Sequence, residues 1–362
     1  MDYVQKIYFG SAGVGKSYKV EKDIVCKELG ISKETEKGKY NIGTDEKPIK
    51  VDIDNDNCIK TVFHPEYSYR DFMVKISPLT TGNQVKYEHN EGDFLKALAK
   101  AYKNILENND KKVALVIDEI NRGNSAEIFG TVFQLLDRVD DEKNKENKGW
   151  SSYAVNISNM EFNKLIELLN IEKSETTIGH KITNSNFLFQ SEEIKNKEII
   201  ELLLNKQIKL PPNLSIIGTM NSSDESIYYM DSAFKRRWDW EYIDISDENN
   251  EENQKRAKEP AGFKNEDEYK SFIDKLNNWI KSQAKTIRRV EDKLIGYYFI
   301  KYQDKMTNEA IQNKLMFFLW DNVFTRDKKP LKTLLGGDIE LITFGDFTRQ
   351  VEPFIEAIKA YK

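Results

Sequence analysis

The sequence has few of the residues that most often bind metals or form disulfide bonds. It contains 2 cysteines and 3 histidines among 362 residues. Their positions fit neither a zinc-ligand spacing nor a disulfide framework. We therefore expect all of them to be ordinary core or surface residues: Cys26, Cys58, His64, His89 and His180.

The chain also lacks a strong excess of charge and any long apolar run. Charged residues make up 32% of the sequence but nearly cancel, to a net charge of -5, so no global basic field favours nucleic acid as a direct partner. No apolar run approaches the roughly 20 residues that a membrane-spanning helix needs, and the N-terminus shows no signal-peptide pattern. The sequence predicts a cytoplasmic protein with no membrane partner.

What the sequence does contain is a phosphate-binding loop. Residues 10–17 have the sequence G-S-A-G-V-G-K-S, the G-x-x-x-x-G-K-[ST] pattern, between a short apolar strand and a stretch with helical spacing. Lys16 would reach the β- and γ-phosphates, and the Ser17 hydroxyl would ligate Mg²⁺. The helix that follows adds its positive N-terminal end. The predicted nucleotide-binding residues of this loop are Gly10, Ser11, Ala12, Gly13, Val14, Gly15, Lys16, Ser17 and Tyr18.

An acidic strand end lies about a hundred residues later. Asp118 and Glu119 directly follow the apolar residues 113–117. Asp118 could hold Mg²⁺ through a water molecule, and Glu119 could orient or deprotonate the attacking water. Buried strand ends often carry one acid, but two acids after an apolar run are typical of an NTPase that cleaves its nucleotide.

A third element is the β-branched stretch 214–221, which ends in Asn221. We expect this asparagine to lie beside Asp118 on the neighbouring strand, within hydrogen-bonding reach of the water or the γ-phosphate. Arg236 and Arg237 follow about fifteen residues later. A Lys-Arg-Arg run alone is usually a surface patch, but at this place it suits insertion into the site of an adjacent subunit.

The pattern along the chain predicts an α/β fold. Short apolar strands at 5–9, 59–63, 113–117 and 214–218 alternate with helical stretches, which favours a parallel sheet flanked by helices over residues 1–245. An insertion at about 140–210 has two interpretations, an element that contacts a partner or a decorated loop that packs on its own body. Residues 246–362 are mostly helical and predict a C-terminal helical lid domain, with helices at 267–282, 286–292, 308–324 and 347–360.

The order of these parts resembles the AAA+ class of ring-forming NTPases, and within it the McrB family of nucleotide-driven subunits of modification-dependent restriction systems. Four stretches carry the resemblance, and a fifth, 294–299, is similar to the segment that leads the family's lid. The four are 10–17, 63–72 (F-H-P-E-Y-S-Y-R-D-F), 117–124 (I-D-E-I-N-R-G-N) and 217–226 (I-G-T-M-N-S-S-D-E-S).

The resemblance implies a mechanism and partners. Asp118 would support the metal, Glu119 would be the hydrolytic carboxylate, Asn221 the sensor, and Arg236 or Arg237 the finger that acts on a neighbouring subunit. The cofactors would be Mg²⁺ with GTP or ATP. GTP comes slightly first, on family grounds alone. The residues themselves do not settle the base, because the N-K-x-D guanine reader that a GTPase would often show is absent from the sequence. The family forms rings, usually hexameric, and a McrC-type partner stimulates hydrolysis and carries the nuclease.

The chain departs from the family pattern at three places. Glu225 stands where the family signature has arginine, and Tyr297 with Tyr298 replaces a His-Ser pair in the lid segment. The sequence also begins almost directly on the first strand, without the N-terminal DNA-reading domain that is typical of the family. We therefore expect contact with DNA to come through a partner, another subunit or a further domain.

Two other functions are compatible with the same motifs. A MoxR-like AAA+ chaperone would remodel protein complexes without DNA, using the same core chemistry. A monomeric P-loop kinase or nucleotide switch would not assemble on nucleotide addition, and it would leave the two arginines without a role.

Overall fold

A computed structural model gives the fold of the chain. It describes residues 3–10, 14–35, 37–44, 47–81, 84–140, 147–174, 181–184, 194–221, 228, 230–243, 255, 258–287, 290–297, 299–300 and 306–361. The chain divides into two compact units, Met1–Trp238 and Asp239–Lys362. No described helix has both the length and the apolar composition needed to cross a membrane.

The strands of the described residues include all four that the sequence predicts. In chain order they are β1 Gln5–Gly10, β2 Ser32–Glu34, β3 Tyr40–Thr44, β4 Lys47–Ile53, β5 Cys58–Val62, β6 Val74–Thr81, β7 Gln84–Glu91, β8 Val113–Asp118, β9 Val155–Asn156, β10 Ile171–Ser174, β11 Lys181–Asn184, β12 Gln207–Ile208, β13 Leu214–Asn221 and β14 Asp239–Tyr242. The main sheet has five strands in the order β14, β1, β13, β8, β5. β1 pairs with β13, β13 with β8, and β8 with β5, each in parallel.

This sheet confirms the α/β AAA+ fold class. β8 and β13 lie inside the sheet and are buried along almost their whole length, as expected for parallel strands covered on both faces. β14, which the sequence pattern does not predict, has only four residues. Of these only Trp240 is buried, so it lacks the continuous apolar run that marks the other strands.

The described helices have these bounds: α1 Lys16–Lys19, continued by a π-helical stretch Val20–Glu28; α2 Tyr69–Phe72; α3 Asp93–Leu106; α4 Ser125–Phe129, continued by a 3-10 stretch Gly130–Leu136; α5 Asn159–Leu168; α6 Ile194–Leu204; α7 Ser232–Lys235; α8 Glu266–Ser282; a 3-10 stretch Val290–Lys293; α9 Asn308–Ala310, with π-helical stretches Ile311–Met316 and Leu319–Val323; α10 Lys329–Leu334; α11 Phe344–Thr348; and α12 Val351–Ala360. Helix α3 contacts β5 and β8. Its buried face includes Phe94, Leu98 and Tyr102, which recur at helical spacing.

The helix after the phosphate loop is anchored by charge. Glu21 forms ion pairs with Lys39, at 2.9 Å, and with Lys60. These two cations hold the pKa of the Glu21 carboxyl below its usual value, even though burial works in the other direction. Lys39 precedes β3, so one pair joins this helix to the antiparallel sheet β2-β4-β3, and the other joins it to β5.

The described part of the predicted insertion packs on its own unit. Helix α5 contacts α3 and the base of the β6–β7 hairpin, and β9 pairs with β12. Leu165 and Ile166 are buried on the inner face of α5. This favours the decorated-loop interpretation for these residues, while 141–146, 175–180 and 185–193 lie outside the described residues.

The β6–β7 hairpin is an element that the sequence pattern does not predict. Its strands pair over eight residues each, from Val74 opposite Glu91 to Thr81 opposite Gln84. Ile76 and Tyr87 are exposed, Tyr87 by 70%. The alternation of apolar and polar residues along these strands therefore does not indicate burial, because the hairpin projects beyond the core.

The second unit has the helical character that the sequence predicts. Helix α8 begins at an Asn265 cap, whose side chain accepts a hydrogen bond from Glu268 N, and it buries Phe272 and Leu276. The predicted helix 347–360 is instead parts of two helices: a short helix that Thr343 caps ends at Thr348, and the next begins at Val351. The predicted helix 286–292 is wrong in its described part, where only the 3-10 stretch Val290–Lys293 forms.

The cysteines and two of the histidines are core or surface residues, as expected. Cys26 and Cys58 are buried free thiols, and burial raises the pKa of Cys26 to about 11 and that of Cys58 to about 12. His64 and His89 are exposed. His180 lies outside the described residues.

Arg138 joins three segments of the first unit. Its guanidinium donates to the carbonyl oxygens of Gly149 and Pro211, both at 3.0 Å, and of Leu214 at 2.8 Å, while Nε donates to Gln5 Oε1 at 3.1 Å. Burial lowers the Arg138 pKa to about 10, which still leaves the side chain protonated at neutral pH. One cation thus satisfies three backbone carbonyls and fixes Gln5 at the start of β1.

We expect Arg138→Met to lower the free energy of unfolding by about 3 kcal/mol or more. Methionine fills most of the volume but leaves the buried carbonyls without their charged donor. Urea denaturation followed by tryptophan fluorescence measures the change. Arg70→Met is the matched control, because Arg70 is exposed and its loss should change stability by no more than about 0.5 kcal/mol. Equal urea midpoints for the two variants would contradict the anchoring role of Arg138.

Candidate active site

The predicted site residues converge because the parallel strands end at one edge of the sheet. Gly10, the last residue of β1, is in register with Asn221, the last residue of β13. Asp118 ends the adjacent strand β8 and is in register with Val62 of β5. Ligands of open parallel sheets bind at this carboxyl edge. The phosphate loop, the two acids and Asn221 therefore share the edge where a nucleotide would bind.

The described part of the phosphate loop has the backbone that such a loop requires. Gly15 has φ +80°, and a Cβ added there would meet no atom within 4 Å, so it is the left-handed backbone rather than crowding that favours glycine. Lys19 N donates to Gly15 O at 2.9 Å and starts the helix. Lys16 is 7% exposed, and its Nζ donates to Gly10 O at 3.2 Å.

The remaining loop residues differ in what the structure describes. Val14 and Tyr18 are described, and Tyr18 is exposed next to Ser17. Ser11, Ala12 and Gly13 were predicted to bind phosphate and lie outside the described residues. Their predicted contacts stay predictions.

Two hydroxyl groups hold the Asp118 carboxylate. Ser17 Oγ donates to Asp118 Oδ1 at 3.3 Å, and Thr219 Oγ1 donates to the same oxygen at 2.9 Å. The Ser17 hydroxyl and the Asp118 carboxylate are oxygen ligands of the kind that Mg²⁺ prefers. The structure thus brings together the two residues that the sequence predicts for the metal.

Glu119 has an unusual backbone conformation. Its φ is +54°, in the left-handed region that costs a non-glycine residue about 1–3 kcal/mol and that clusters at functional sites. Its carboxylate oxygen Oε1 accepts a hydrogen bond from Asn221 Nδ2 at 2.7 Å. The predicted hydrolytic acid and the predicted sensor are therefore in direct contact.

Two residues that the site prediction did not include hold this edge together. Thr219 contacts Asp118 and accepts a hydrogen bond from Glu119 N at 3.3 Å. Asn121 is buried and donates from Nδ2 to Asn221 O at 2.9 Å. One signal could have identified Thr219: it lies two residues before Asn221 on the same strand, and alternate residues of a strand share a face.

The F-H-P-E-Y-S-Y-R-D-F stretch supports the acidic strand end by packing. Phe63 N donates to Asp118 O at 3.0 Å. The Phe63 ring is buried and lies 5.1 Å from the Tyr67 ring and 5.8 Å from the Phe72 ring, centroid to centroid. Tyr67 also donates to Asp93 Oδ2 at 2.8 Å. This stretch fixes the backbone of Asp118 from the side of β5.

The two predicted arginine fingers have different surroundings. Arg236 is exposed after the short helix α7. The Arg237 side chain is only 9% exposed and pairs with Asp137 at 2.6 Å. Its Nη1 donates to Ala233 O at 2.9 Å, and its guanidinium lies 4.0 Å from the centroid of the Phe133 ring. Of the two, only Arg236 could reach another subunit without breaking contacts of its own chain.

Comparison with known proteins identifies relatives among restriction systems. The component YdiS of the type II restriction enzyme BsuMI from Bacillus subtilis is 30% identical over 266 residues, which cover 71% of this chain and 60% of the relative. The EcoKMcrB subunit of a type IV methyl-directed restriction enzyme from Escherichia coli is 27% identical over 183 residues, which cover 51% of this chain and 27% of the relative. The matched regions thus span less than two thirds of either relative. No protein-family model matches the chain.

A comparison of structures adds one distant likeness. A solved structure from Cytophaga hutchinsonii, described as a candidate ATPase, aligns over 88% of this chain and 71% of its own with a TM-score of 0.26 and 9% identity. A superposition this loose supports no conclusion. The sheet of the first unit, the convergence of the phosphate loop with the acidic strand end, and the two sequence relatives lead to one assignment: the chain belongs to the McrB-type AAA+ NTPases.

Proposed function

We propose that this chain hydrolyses a nucleoside triphosphate with Mg²⁺ and drives a restriction system as a ring-forming motor. The observation that carries the proposal is the meeting of Ser17, Asp118, Glu119 and Asn221 at one sheet edge, where Asn221 contacts Glu119 at 2.7 Å and Ser17 contacts Asp118 at 3.3 Å. A site for binding alone would not need the second acid.

The site residues fit both a triphosphate and a hard cation. The Lys16 ammonium now bonds to a loop carbonyl and would exchange that contact for the β- and γ-phosphates. Ser17 and Asp118 would hold Mg²⁺, Asp118 through a water molecule. When bound, Mg²⁺ would neutralise charge that develops on the phosphate oxygens.

The proposed reaction is an in-line hydrolysis. A water oxygen attacks the γ-phosphorus, the new P–O bond forms as the bond to the β,γ-bridging oxygen breaks, and the products are the nucleoside diphosphate and inorganic phosphate. Glu119 orients the water and accepts its proton. Asn221, through its amide, holds the Glu119 carboxylate in place. Arg236 of an adjacent subunit would stabilise the charge on the transferring group.

The finer parts of the proposal rest on the family and on the names of the relatives. These parts are a ring, usually hexameric in the family, and a McrC-like nuclease partner through which the motor would act on DNA. Both curated relatives carry restriction names, which favours this function over a MoxR-like chaperone. A neighbouring reading frame for a PD-(D/E)XK nuclease would support it further.

The test is phosphate release and assembly measured side by side with GTP and with ATP. We expect Mg²⁺-dependent phosphate release with one or both nucleotides, and we expect mass photometry to show a ring with the matching non-hydrolysable analogue. Lys16→Ala should abolish both phosphate release and ring assembly, because it removes the main cation from the phosphate loop. Undiminished nucleotide affinity of Lys16→Ala by calorimetry would contradict the assignment of the loop, and a monomer in every condition would favour the kinase or switch.

A further inference from the structure

A single threonine contacts three consecutive residues of the acidic strand end. Thr219 Oγ1 donates to Asp118 Oδ1 at 2.9 Å and accepts from Glu119 N at 3.3 Å, and Thr219 O accepts from Ile120 N at 2.9 Å. Thr219 is 3% exposed. The two side-chain contacts need a short hydroxyl side chain, because one atom must donate and accept at once.

The middle residue of this segment is the one under backbone strain. Glu119 has φ +54° and lies between the Asp118 contact on one side and the Ile120 contact on the other. A left-handed non-glycine residue persists only when its surroundings over-determine it. Here the hydroxyl and the carbonyl of Thr219 supply part of that constraint directly, which sets the direction in which the Glu119 side chain leaves the backbone.

We propose that Thr219 is a positioning residue for both acids of the site, and the proposal rests on the hydrolytic function proposed above. Through its hydroxyl it fixes one oxygen of Asp118, so that the carboxylate is oriented for the metal, and it stabilises the backbone conformation that aims Glu119 at the water. It does not touch the substrate. Groups that hydrogen-bond a metal-binding carboxylate typically change metal affinity or activity about 10–100-fold when removed.

The test compares Thr219→Val, which keeps the shape and removes the hydroxyl, with Thr219→Ser, which keeps the hydroxyl. For Thr219→Val we expect kcat to fall about 10–100-fold and KM for the nucleotide to change less than about twofold. The Mg²⁺ concentration for half-maximal rate should rise, and calorimetry of the complex with a non-hydrolysable analogue should show a matching loss of Mg²⁺ affinity. Thr219→Ser should recover most of kcat and of the Mg²⁺ dependence. A purely structural role would not separate kcat from KM in this way or be rescued by the hydroxyl alone.

Ser215→Ala provides a matched control on the same strand. Ser215 is also buried, at 1% exposure, and its Oγ accepts from Val4 N at 3.0 Å at the opposite end of β13. Its loss should lower the melting temperature without changing kcat or the Mg²⁺ dependence. If Thr219→Val does not fold, Thr219→Ala makes the same comparison, because it removes the hydroxyl without adding volume.

The outcomes separate this proposal from the function on which it rests. A Thr219→Val protein that hydrolyses at the wild-type rate with the wild-type Mg²⁺ dependence would overturn the positioning role and leave the hydrolytic function intact. Equal losses in the valine and serine variants would also overturn it, because the hydroxyl would then not matter. A wild-type chain with no hydrolysis under any condition, including with its partner added, would refute both.

Discussion

Glu119→Gln should bind nucleotide with wild-type affinity and lose turnover by about 10²–10⁴-fold. Glutamine has nearly the same shape and keeps an oxygen that can accept the hydrogen bond from Asn221 Nδ2, now 2.7 Å long. It cannot accept a proton from the attacking water. Single-turnover phosphate release, with calorimetry of a non-hydrolysable analogue, separates the lost chemical step from retained binding.

Glu127→Gln is the control for this change. Glu127 is exposed in α4 and accepts a hydrogen bond from Asn124, so the same chemical change there should leave the rate unaltered. A Glu119→Gln protein that hydrolyses at the wild-type rate would remove Glu119 from the mechanism. Loss of binding together with turnover would mean that the carboxylate holds the site together rather than acting on the water.

Arg236→Ala should reduce hydrolysis by the assembled protein about 10³–10⁵-fold, because an arginine that reaches the transferring phosphoryl group contributes a factor of that size. Its unfolding curve should be that of the wild type, since Arg236 is exposed. For Arg237→Ala we instead expect the free energy of unfolding to fall by about 2 kcal/mol, because the variant loses a charged hydrogen bond to Asp137. The two neighbouring substitutions should therefore separate a rate effect from a stability effect.

Mixing tests whether Arg236 acts on a neighbour. Arg236→Ala and Glu119→Gln proteins, each inactive alone, should regain activity together, since some interfaces of a mixed ring combine an intact arginine with an intact glutamate. Phosphate release across a series of mixing ratios measures the recovery. No recovery at any ratio, with rings still formed, would argue that Arg236 acts within its own chain or not in the reaction.

The parts of the site that the sequence predicts are those that local chemistry defines. The phosphate loop and the Asp118-Glu119 pair are short patterns next to apolar strands, so their residue types are enough to predict a role for them. Thr219 and Asn121 were missed as site residues because their importance depends on strand register and on contacts across about one hundred residues. The sequence could not distinguish Arg236 from Arg237 for the same reason, because the ion pair that engages Arg237 is with Asp137, which is distant in the sequence.

For the fold, too, the sequence predicts the elements that a local pattern defines. Strands buried on both faces were predicted within a few residues, because a continuous apolar run identifies them. The hairpin and β14 were missed, because exposed or very short strands lack that signal. The break between α11 and α12 falls at Arg349 and Gln350, which follow the end of α11 at Thr348 and precede Val351, and the apolar periodicity of residues 347–360 does not mark it.

The left-handed backbone of Glu119 would place its proposed catalytic role and folding in opposition at one position. Glycine adopts φ +54° without a steric penalty, so a glycine there would relieve the strain of about 1–3 kcal/mol that glutamate carries. On the proposed mechanism, selection for heat resistance alone would favour glycine wherever this relief exceeds the lost hydrogen bond from Asn221 Nδ2 and the greater entropy loss of glycine on folding, and hydrolysis would be lost with the carboxylate. Any engineering of this protein for durability should therefore exclude residue 119 from its library, and a homologue with glycine at this position should be expected to bind nucleotide as a passive subunit.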